Sequence, residues 1–328
     1  MSRYVIFGGG GFVGANFVRH MASLGHEFVV VDNLTYTQPP NIEALKATGR
    51  AELVEGDVRD AAFVKKIVGA GIDGVFHLAS LVGIKNYLKN PLDLIDVTLT
   101  GTRNVAEACL NANVKMLFTS TSEVLGRNTD VPWKESADRV YGAPTVDRWA
   151  YGSSKGVAEQ LLNAMHHQLG LKMSIIRFFN VYGPFQRPYF VASKTLFHHL
   201  RGEQPLKYDT GRQTRCYTYI GDAVEAVRLV FESERSNGET YHIGSNFEHT
   251  VEDLIAISAK VTGAKEPPKL FDTAMEYGKF YEDIERRVPD VSKIRDHVGW
   301  AAATGLEQGM ANFRDWAKAS PWWLALDV

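Results

Sequence analysis

Short apolar runs alternate along the chain with longer stretches in which apolar residues recur every three or four positions. The short runs are rich in Val, Ile and Phe and predict strands, whereas the longer stretches predict amphipathic helices. The longest predicted helix covers residues 91–112, and another begins at Tyr151. Alternating strands and helices with short links predict an α/β fold with a doubly wound parallel sheet. The predicted strands lie at residues 4–7, 28–31, 51–58, 74–80 and 114–119.

A polar cluster follows the last of these strands. Thr121, Ser122 and Glu123 place two hydroxyls and a carboxylate where the apolar residues stop. Ligands of an open α/β sheet bind at the carboxyl ends of the strands, so proton-exchanging groups there are candidates for catalysis. The alternative reading of Glu123 is a carboxylate that only caps the following turn.

A glycine-rich segment separates the first predicted strand from a helix, and an acidic residue, Asp32, ends the second strand about 18 positions after the last glycine. This is the Rossmann arrangement for binding a dinucleotide, in which the backbone approaches the diphosphate and the acid accepts from the ribose hydroxyls. A carboxylate repels a 2′-phosphate, so NAD is favoured over NADP. The residues predicted to bind the cofactor are Gly8, Gly11, Phe12, Val13, Gly14, Asp32, Asn33, Asp57, Val58, Leu78, Ala79, Ser80, Thr119, Tyr151 and Lys155.

Tyr151 and Lys155 are four residues apart at the start of a predicted helix, and therefore lie on one helical face. A phenol with a pKa of about 10 is a poor base at neutral pH, but a nearby ammonium favours the phenolate. The alternative is a solvated tyrosine and a solvated lysine, which are common on any helix.

Composition narrows the range of functions. The 328 residues are 45% hydrophobic and 23% charged, as in an ordinary globular protein. A formal net charge of −2 gives no reason to expect a nucleic acid or a membrane as partner. Cys109 and Cys216 form no metal-binding pattern, so no metal is expected. Because the chain starts directly in a predicted strand and has no membrane-length apolar run, we expect a cytoplasmic protein.

The motifs together resemble the extended short-chain dehydrogenase/reductase family, which contains nucleotide-sugar epimerases, dehydratases and decarboxylases. The resemblance implies NAD as cofactor, Tyr151 as the base for a sugar 4-hydroxyl, Lys155 as the residue that lowers the tyrosine pKa and binds the nicotinamide ribose, and Thr121 as a partner of the same hydroxyl. It rests on Gly8, Gly11 and Gly14, Asp32, Gly56-Asp57-Val58, His77-Leu78-Ala79, Tyr151 and Lys155, Arg177-Phe178-Phe179-Asn180-Val181-Tyr182-Gly183-Pro184, and Val298-Gly299-Trp300.

Further segments resemble the decarboxylating members of that family. They are Thr121-Ser122-Glu123, residues 148–151, residues 215–218 and residues 281–290. The resemblance implies that Arg287 belongs to the active site and that Tyr281 contacts the nucleotide. The predicted reaction is the decarboxylation of UDP-glucuronate through a 4-keto intermediate, to UDP-xylose or a UDP-4-ketopentose. The predicted catalytic residues are Thr121, Ser122, Glu123, Tyr151, Lys155 and Arg287.

The rest of the chain is predicted to bind the substrate. We expect an NAD-binding domain over residues 1–178, with residues 213–245 returning to it, and a smaller α/β substrate domain over residues 179–328. By resemblance, helices 91–112 and 151–169 form a four-helix contact in a homodimer. The predicted substrate-binding residues are Asn180, Lys207, Tyr208, Arg215, Tyr281 and Arg287.

Three departures from the family pattern leave other reactions open. Leu125, Thr98 and residues 81–84 differ from what relatives usually carry. One alternative is a nucleotide-sugar 4,6-dehydratase, which also uses a glutamate at the strand end. A 4-epimerase of a uronic acid is the third enzyme hypothesis. A non-catalytic NAD-binding sensor on the same fold is the remote alternative.

Overall fold

The computed structural model describes residues 1–83, 88–278 and 283–327. In this part of the chain seven strands form a central sheet in which every neighbouring pair is parallel. These strands are β1 (Arg3–Phe7), β2 (Glu27–Asp32), β3 (Ala51–Glu55), β4 (Gly74–His77), β5 (Lys115–Thr121), β6 (Met173–Phe178) and β11 (Glu239–Ile243). Their order across the sheet is β3-β2-β1-β4-β5-β6-β11. The predicted fold class, a Rossmann-type doubly wound sheet, is confirmed.

Helices cover both faces of this sheet. The helix predicted over residues 91–112 has those bounds, and the helix that carries Tyr151 begins one residue earlier than predicted. The helices of the first 178 residues are α1 (Phe12–Ser23), α2 (Pro39–Lys46), α3 (Ala61–Ile67), α4 (Pro91–Ala112) and α5 (Ala150–Leu169), with 3₁₀ turns at Ser122–Leu125 and Asp147–Trp149.

Two hydrophobic cores lie on opposite faces of the sheet because successive side chains of a strand alternate between faces. In β1, Val5 and Phe7 pack in the core beneath α4 and α5. Tyr4 and Ile6 pack in the other core, beneath α1 and the helix Ile220–Glu232. The apolar run of this strand is continuous because both of its faces are covered.

The C-terminal part is a smaller mixed α/β unit. Its short strands are β7 (Val181–Tyr182), β8 (Leu206–Tyr208), β9 (Thr214–Cys216), β10 (Thr218–Tyr219), β12 (Glu248–Thr250), β13 (Lys269–Phe271) and β14 (Arg286–Arg287). The helices after residue 178 are α6 (Val191–Leu200), α7 (Ile220–Glu232), α8 (Val251–Thr262), α9 (Thr273–Tyr277), α10 (Ser292–Val298), α11 (Leu306–Lys318) and α12 (Pro321–Leu324), with a 3₁₀ turn at Glu234–Ser236. Of these, α7 and α10 pack against the central sheet. The apolar tail packs into this unit, where Trp323 is fully buried.

Strand β11 pairs with β6 at the edge of the central sheet. The chain therefore returns to the central sheet at β11. The predicted division into residues 1–178, with 213–245 returning to them, and residues 179–328 stays a prediction. Among the described residues, no helix is both long and apolar enough to cross a membrane.

Candidate active site

A cavity of about 420 Å³ opens at the carboxyl ends of the central strands. Every residue predicted to bind the cofactor or to act in catalysis lines this cavity. Asn180 and Arg287 line it as well, so the C-terminal unit closes one side. The sequence therefore identified a set of residues that the tertiary structure brings to one place.

The glycine-rich turn lies between β1 and α1. Gly8 has a φ of +78°, and a Cβ atom there would lie 2.6 Å from the backbone nitrogen of Ala79. A Cβ atom on Gly14 would lie 2.6 Å from the Cα of Gly9. The turn therefore has no room for side chains beyond Cα at these two positions. Because α1 begins beside the turn, the positive N-terminal end of this helix lies where a diphosphate would bind.

The carboxylate of Asp32 is fixed at the end of β2. Its oxygens accept hydrogen bonds from the backbone N–H groups of Gly10 at 3.0 Å and Leu34 at 2.9 Å, and from the Thr37 hydroxyl at 2.9 Å. The Asp32 carboxylate therefore lies next to the glycine turn in a defined orientation. It is placed as a ribose-binding acid is in a dinucleotide site.

A second carboxylate, Asp57, follows the neighbouring strand β3. Its oxygens accept hydrogen bonds from Arg59 Nε at 3.0 Å and from the terminal nitrogen of the same guanidinium at 2.7 Å. These bonds lower the pKa of Asp57, so this group is ionised at neutral pH. The ion pair of Asp57 with Arg59 therefore lines the cofactor end of the cavity.

Tyr151 and Lys155 project from the first turns of α5 into the cavity wall. Burial raises the pKa of Tyr151, the charge of Glu123 adds to the shift, and the hydroxyls of Ser80 and Thr121 oppose it. Burial therefore dominates the pKa of Tyr151 in the protein alone. The effect expected of Lys155, to lower that pKa, stays a prediction.

Lys155 is buried as deeply as the tyrosine. Burial lowers its pKa to about 7, and its ammonium donates a hydrogen bond to the carbonyl of Thr119 at 2.8 Å. The lysine is thus anchored to the end of β5. With a pKa near neutral, the charge state of Lys155 can change when a ligand enters the cavity.

Glu123 lies in the 3₁₀ turn directly after β5, and its carboxylate is held between two buried arginines. Its Oε2 contacts a terminal nitrogen of Arg148 at 2.5 Å, and its Oε1 contacts one of Arg287 at 3.2 Å. Although burial acts in the opposite direction, the two guanidiniums hold the pKa of Glu123 below its usual range. We call these three residues the arginine–glutamate cluster; its formal charge is positive.

Arg148 was missed as a site residue by the sequence reasoning. Its segment, residues 148–151, was noted for its resemblance to decarboxylating relatives, and its position three residues before Tyr151 was the available signal. The structure explains the contact with Glu123 through Gly152, where a Cβ atom would lie 2.4 Å from the Glu123 carbonyl oxygen. The glycine lets the start of α5 approach the turn that carries Glu123.

Arg287 reaches the cluster because its segment is tied to the loop after β5. The Trp133 N–H donates to the carbonyl of Val288 at 2.8 Å, and the Asp290 N–H donates to the carbonyl of Trp133 at 2.7 Å. Leu125 is fully buried in the apolar cluster beside Trp133 and does not line the cavity. Its departure from the family pattern therefore changes the packing behind the site.

Three other predicted substrate residues, Lys207, Tyr208 and Arg215, do not line the cavity. Lys207 pairs with Glu252 at 3.1 Å, and the ring of Tyr208 packs on Phe271 with their centroids 5.1 Å apart. Arg215 is the register partner of Arg287 in the sheet of β9 and β14. It pairs with Asp283 at 3.0 Å. Tyr281 lies outside the described residues.

The cavity fits a dinucleotide at one end and a sugar at the other. The glycine turn leaves no space for side chains, and Asp32 and Asp57 follow adjacent strands. Asn180, with a φ of +41°, carries a buried amide oxygen that finds no hydrogen-bond partner within the described part of the chain. A buried acceptor of this kind costs free energy unless a ligand supplies a donor. No cluster suited to a metal ion occurs among the residues described.

Fold and site together define a Rossmann-type nucleotide-binding enzyme with a Tyr151 and Lys155 pair next to a strand-end hydroxyl, Thr121. Residues 5–313 match the family model described as GDP-mannose 4,6 dehydratase, and the chain belongs to this family.

Relatives of the chain include decarboxylases and dehydratases. The chain is 34% identical to UDP-N-acetyl-alpha-D-glucosaminuronate decarboxylase of Bacillus cytotoxicus, covering 96% of this chain and 97% of the relative. It is 28% identical to UDP-glucuronic acid decarboxylase 1 of Xenopus tropicalis, covering 94% and 70%. A solved structure of DesIV, a dTDP-glucose 4,6-dehydratase from Streptomyces venezuelae with NAD and TYD bound, superposes with a TM-score of 0.88 at 25% identity, covering 98% of each chain.

Proposed function

We propose that the protein is an NAD-dependent nucleotide-sugar decarboxylase that acts on a UDP-hexuronate, with UDP-glucuronate as the first candidate. The product is UDP-xylose or a UDP-4-ketopentose. The observation that carries the proposal is the arginine–glutamate cluster, which places positive charge at the sugar end of the cavity. The names of the two decarboxylases among the relatives support the same substrate class.

NAD is assigned to the end of the cavity that contains the glycine turn. Gly8, Gly14 and the start of α1 would hold the diphosphate, Asp32 would accept from the adenosine ribose, and Lys155 would bind the nicotinamide ribose. When bound, NAD supplies the oxidising and reducing capacity for carbon 4 of the sugar. The carboxylate of Asp32 disfavours a 2′-phosphate and so supports NAD over NADP.

Tyr151 and Thr121 act on the sugar 4-oxygen. The phenolate of Tyr151 takes the hydroxyl proton while carbon 4 is oxidised, and the Thr121 hydroxyl orients the same oxygen. A phenolate in this buried position needs positive charge nearby, and Lys155 is the cation on the same helical face. Thr121 remains in place to donate to the oxygen when negative charge collects there.

Arg287 binds the carboxylate of the substrate, which lies β to the new ketone. Loss of carbon dioxide breaks the bond between carbons 5 and 6, and its electron pair moves into the enolate formed with the 4-oxygen. Carbon 5 then takes a proton. Glu123 is ionised beside its two arginines, so it does not give up a proton of its own. With Ser122 it orients a water molecule, which donates the proton to carbon 5.

The second candidate is a 4,6-dehydratase, favoured by the family model and by the likeness to DesIV. That reaction needs the strand-end glutamate as a base. The two guanidiniums that lower the pKa of Glu123 make it a weak base, which favours decarboxylation. A 4-epimerase of a uronic acid does not require the arginine–glutamate cluster for its reaction. A non-catalytic sensor requires neither this cluster nor Tyr151.

We propose a cytoplasmic homodimer formed through α4 and α5. Leu92 and Ile95 on α4, and Val157 on α5, are exposed by 83%, 36% and 49% in the single chain. A second copy would cover these side chains in a four-helix contact. A monomeric mass in solution would contradict this part of the proposal.

The test supplies the purified protein and NAD with UDP-glucuronate, UDP-N-acetylglucosaminuronate, UDP-glucose, dTDP-glucose and GDP-mannose in separate reactions. Products are followed by mass spectrometry. Loss of the mass of carbon dioxide from a uronate is expected, whereas loss of the mass of water means dehydration. An isomer of unchanged mass means epimerisation. If both uronates remain whole, the proposed decarboxylation is wrong.

Variants of neighbouring arginines link the result to the cluster. Arg287→Met should reduce carbon dioxide release about 100-fold or more, because the carboxylate loses a buried guanidinium. Arg286→Met is the matched control, since Arg286 is the adjacent residue but is exposed and paired with Glu248. Equal rates in the two variants would argue against a role for the cluster in carboxylate binding.

A further inference from the structure

The two arginines of the cluster differ in what they can touch. Arg287 lines the cavity, whereas Arg148 does not and lies behind Glu123. The side chain of Arg148 is 1% exposed and that of Glu123 is 14% exposed. A substrate in the cavity can therefore meet Arg287 and Glu123, but meets Arg148 only through Glu123.

The two ion pairs also differ in length. Arg148 approaches Glu123 to 2.5 Å, and Arg287 approaches it to 3.2 Å. The Nε of Arg287 is buried without a hydrogen-bond partner within the described residues. Arg287 thus retains an unused donor that a second carboxylate would satisfy in a two-pronged contact.

We propose that Arg148 is a positioning residue: it holds the Glu123 carboxylate in place and ionised while Arg287 turns its guanidinium toward the carboxylate of the substrate. This assignment rests on the proposed decarboxylation. It divides the cluster into a fixed pair, Arg148 with Glu123, and an exchangeable partner, Arg287.

The need for a fixed cation follows from burial. When Arg287 engages the substrate, Arg148 is the guanidinium that still neutralises Glu123. Among the described residues, Glu123 also acts electrostatically on the phenols of Tyr151 on α5 and Tyr141 in the loop after β5, and these are neutral in their protonated forms. Without Arg148, burial would raise the pKa of Glu123 and favour its protonated form.

A double-mutant cycle tests whether Arg148 acts through Glu123. Arg148→Met is expected to lower kcat about 100-fold at pH 7 while changing KM for UDP-glucuronate less than about threefold. In a Glu123→Gln background the same substitution should cost less than about threefold, because the group that it positions is already gone. A purely structural role for Arg148 would instead lower kcat by the same factor in both backgrounds.

The pH profile of kcat gives an independent readout. Glu123 is required as a carboxylate and its pKa is lowered in the wild type, so the acid limb of the wild-type profile is set by other groups, Tyr151 among them. Arg148→Met raises the pKa of Glu123, so activity should fall as the pH falls through a value at least about one unit higher. Arg148→Lys restores a positive charge and should recover part of the rate and move the acid limb back.

Folding and the proposed reaction are controlled separately. Thermal unfolding and NAD content should match the wild type in Arg148→Lys, and Arg286→Met should leave the pH profile unchanged. The assignment of Arg148 is wrong, and the proposed function stands, if the wild-type enzyme releases carbon dioxide but the effects of Arg148→Met and Glu123→Gln on kcat multiply. The same holds if the acid limb of the Arg148→Met profile does not move. If the wild-type enzyme releases none from either uronate, the proposed function fails and the assignment falls with it.

Discussion

The two ends of the cavity are built in different ways. The cofactor end consists mainly of backbone and of carboxylates fixed by local hydrogen bonds, as in Gly8 and Asp32, and it comes from consecutive strands and turns. The sugar end consists of buried side chains from distant segments, such as Glu123 and Arg287, which are 164 positions apart. The cofactor end is therefore defined by backbone geometry, whereas the sugar end is defined by opposite charges that balance one another in a buried site.

This difference predicts separable effects. A change at the cofactor end should appear as lost cofactor, with turnover restored by excess NAD. A change at the sugar end should appear as lost turnover in a protein that still holds its cofactor.

The largest effect is expected from the sugar end. Tyr151→Phe removes the phenol that accepts the substrate proton, so turnover should fall about 1000-fold, within the range known for lost general bases. NAD content, measured by absorbance after denaturation of the purified protein, should stay near the wild-type value. Turnover within threefold of wild type would show that Tyr151 is not the base.

An intermediate effect is expected from the glycine turn. Gly8→Ala forces a Cβ atom to 2.6 Å from the nitrogen of Ala79 at a φ of +78°, so affinity for NAD should fall about 10- to 100-fold, with turnover recovered at high NAD. Titration of NAD against intrinsic fluorescence measures this. The control is Gly49→Ala, which has a φ of +65° but no atom within 4 Å of the added Cβ. Equal losses would mean that backbone strain is responsible.

The smallest effect is expected from Asp32. Asp32→Asn keeps the shape of the side chain but removes its charge, so affinity for NAD should fall by about tenfold or less and the preference over NADP should narrow. The ratio of the two dissociation constants is the measurement. Glu55→Gln, an exposed acid at the end of the next strand, should leave the ratio unchanged. An unchanged ratio in Asp32→Asn would show that Asp32 does not select between NAD and NADP.

Much of the cofactor end could be predicted because its signals are local. The glycine turn, the acid after β2 and the alternation of strands and helices are each contained in a short window of sequence. The helix α4 was predicted with its observed bounds, because its amphipathic pattern is long and continuous. The limits of β5 were less exact, since the strand continues to Thr121 through polar residues that periodicity does not assign.

The sequence by itself determined the Rossmann-type sheet, the residues around the cofactor cavity and the presence of Tyr151, Glu123 and Arg287 near one another. Only the tertiary structure decided that Arg148 lies against Glu123, and that Lys207 faces Glu252 instead of the cavity. It also placed Tyr151 where burial raises its pKa. The physical reason is the same in each case: ion pairing and desolvation depend on which distant segments meet and how much water they exclude, and no local pattern encodes that.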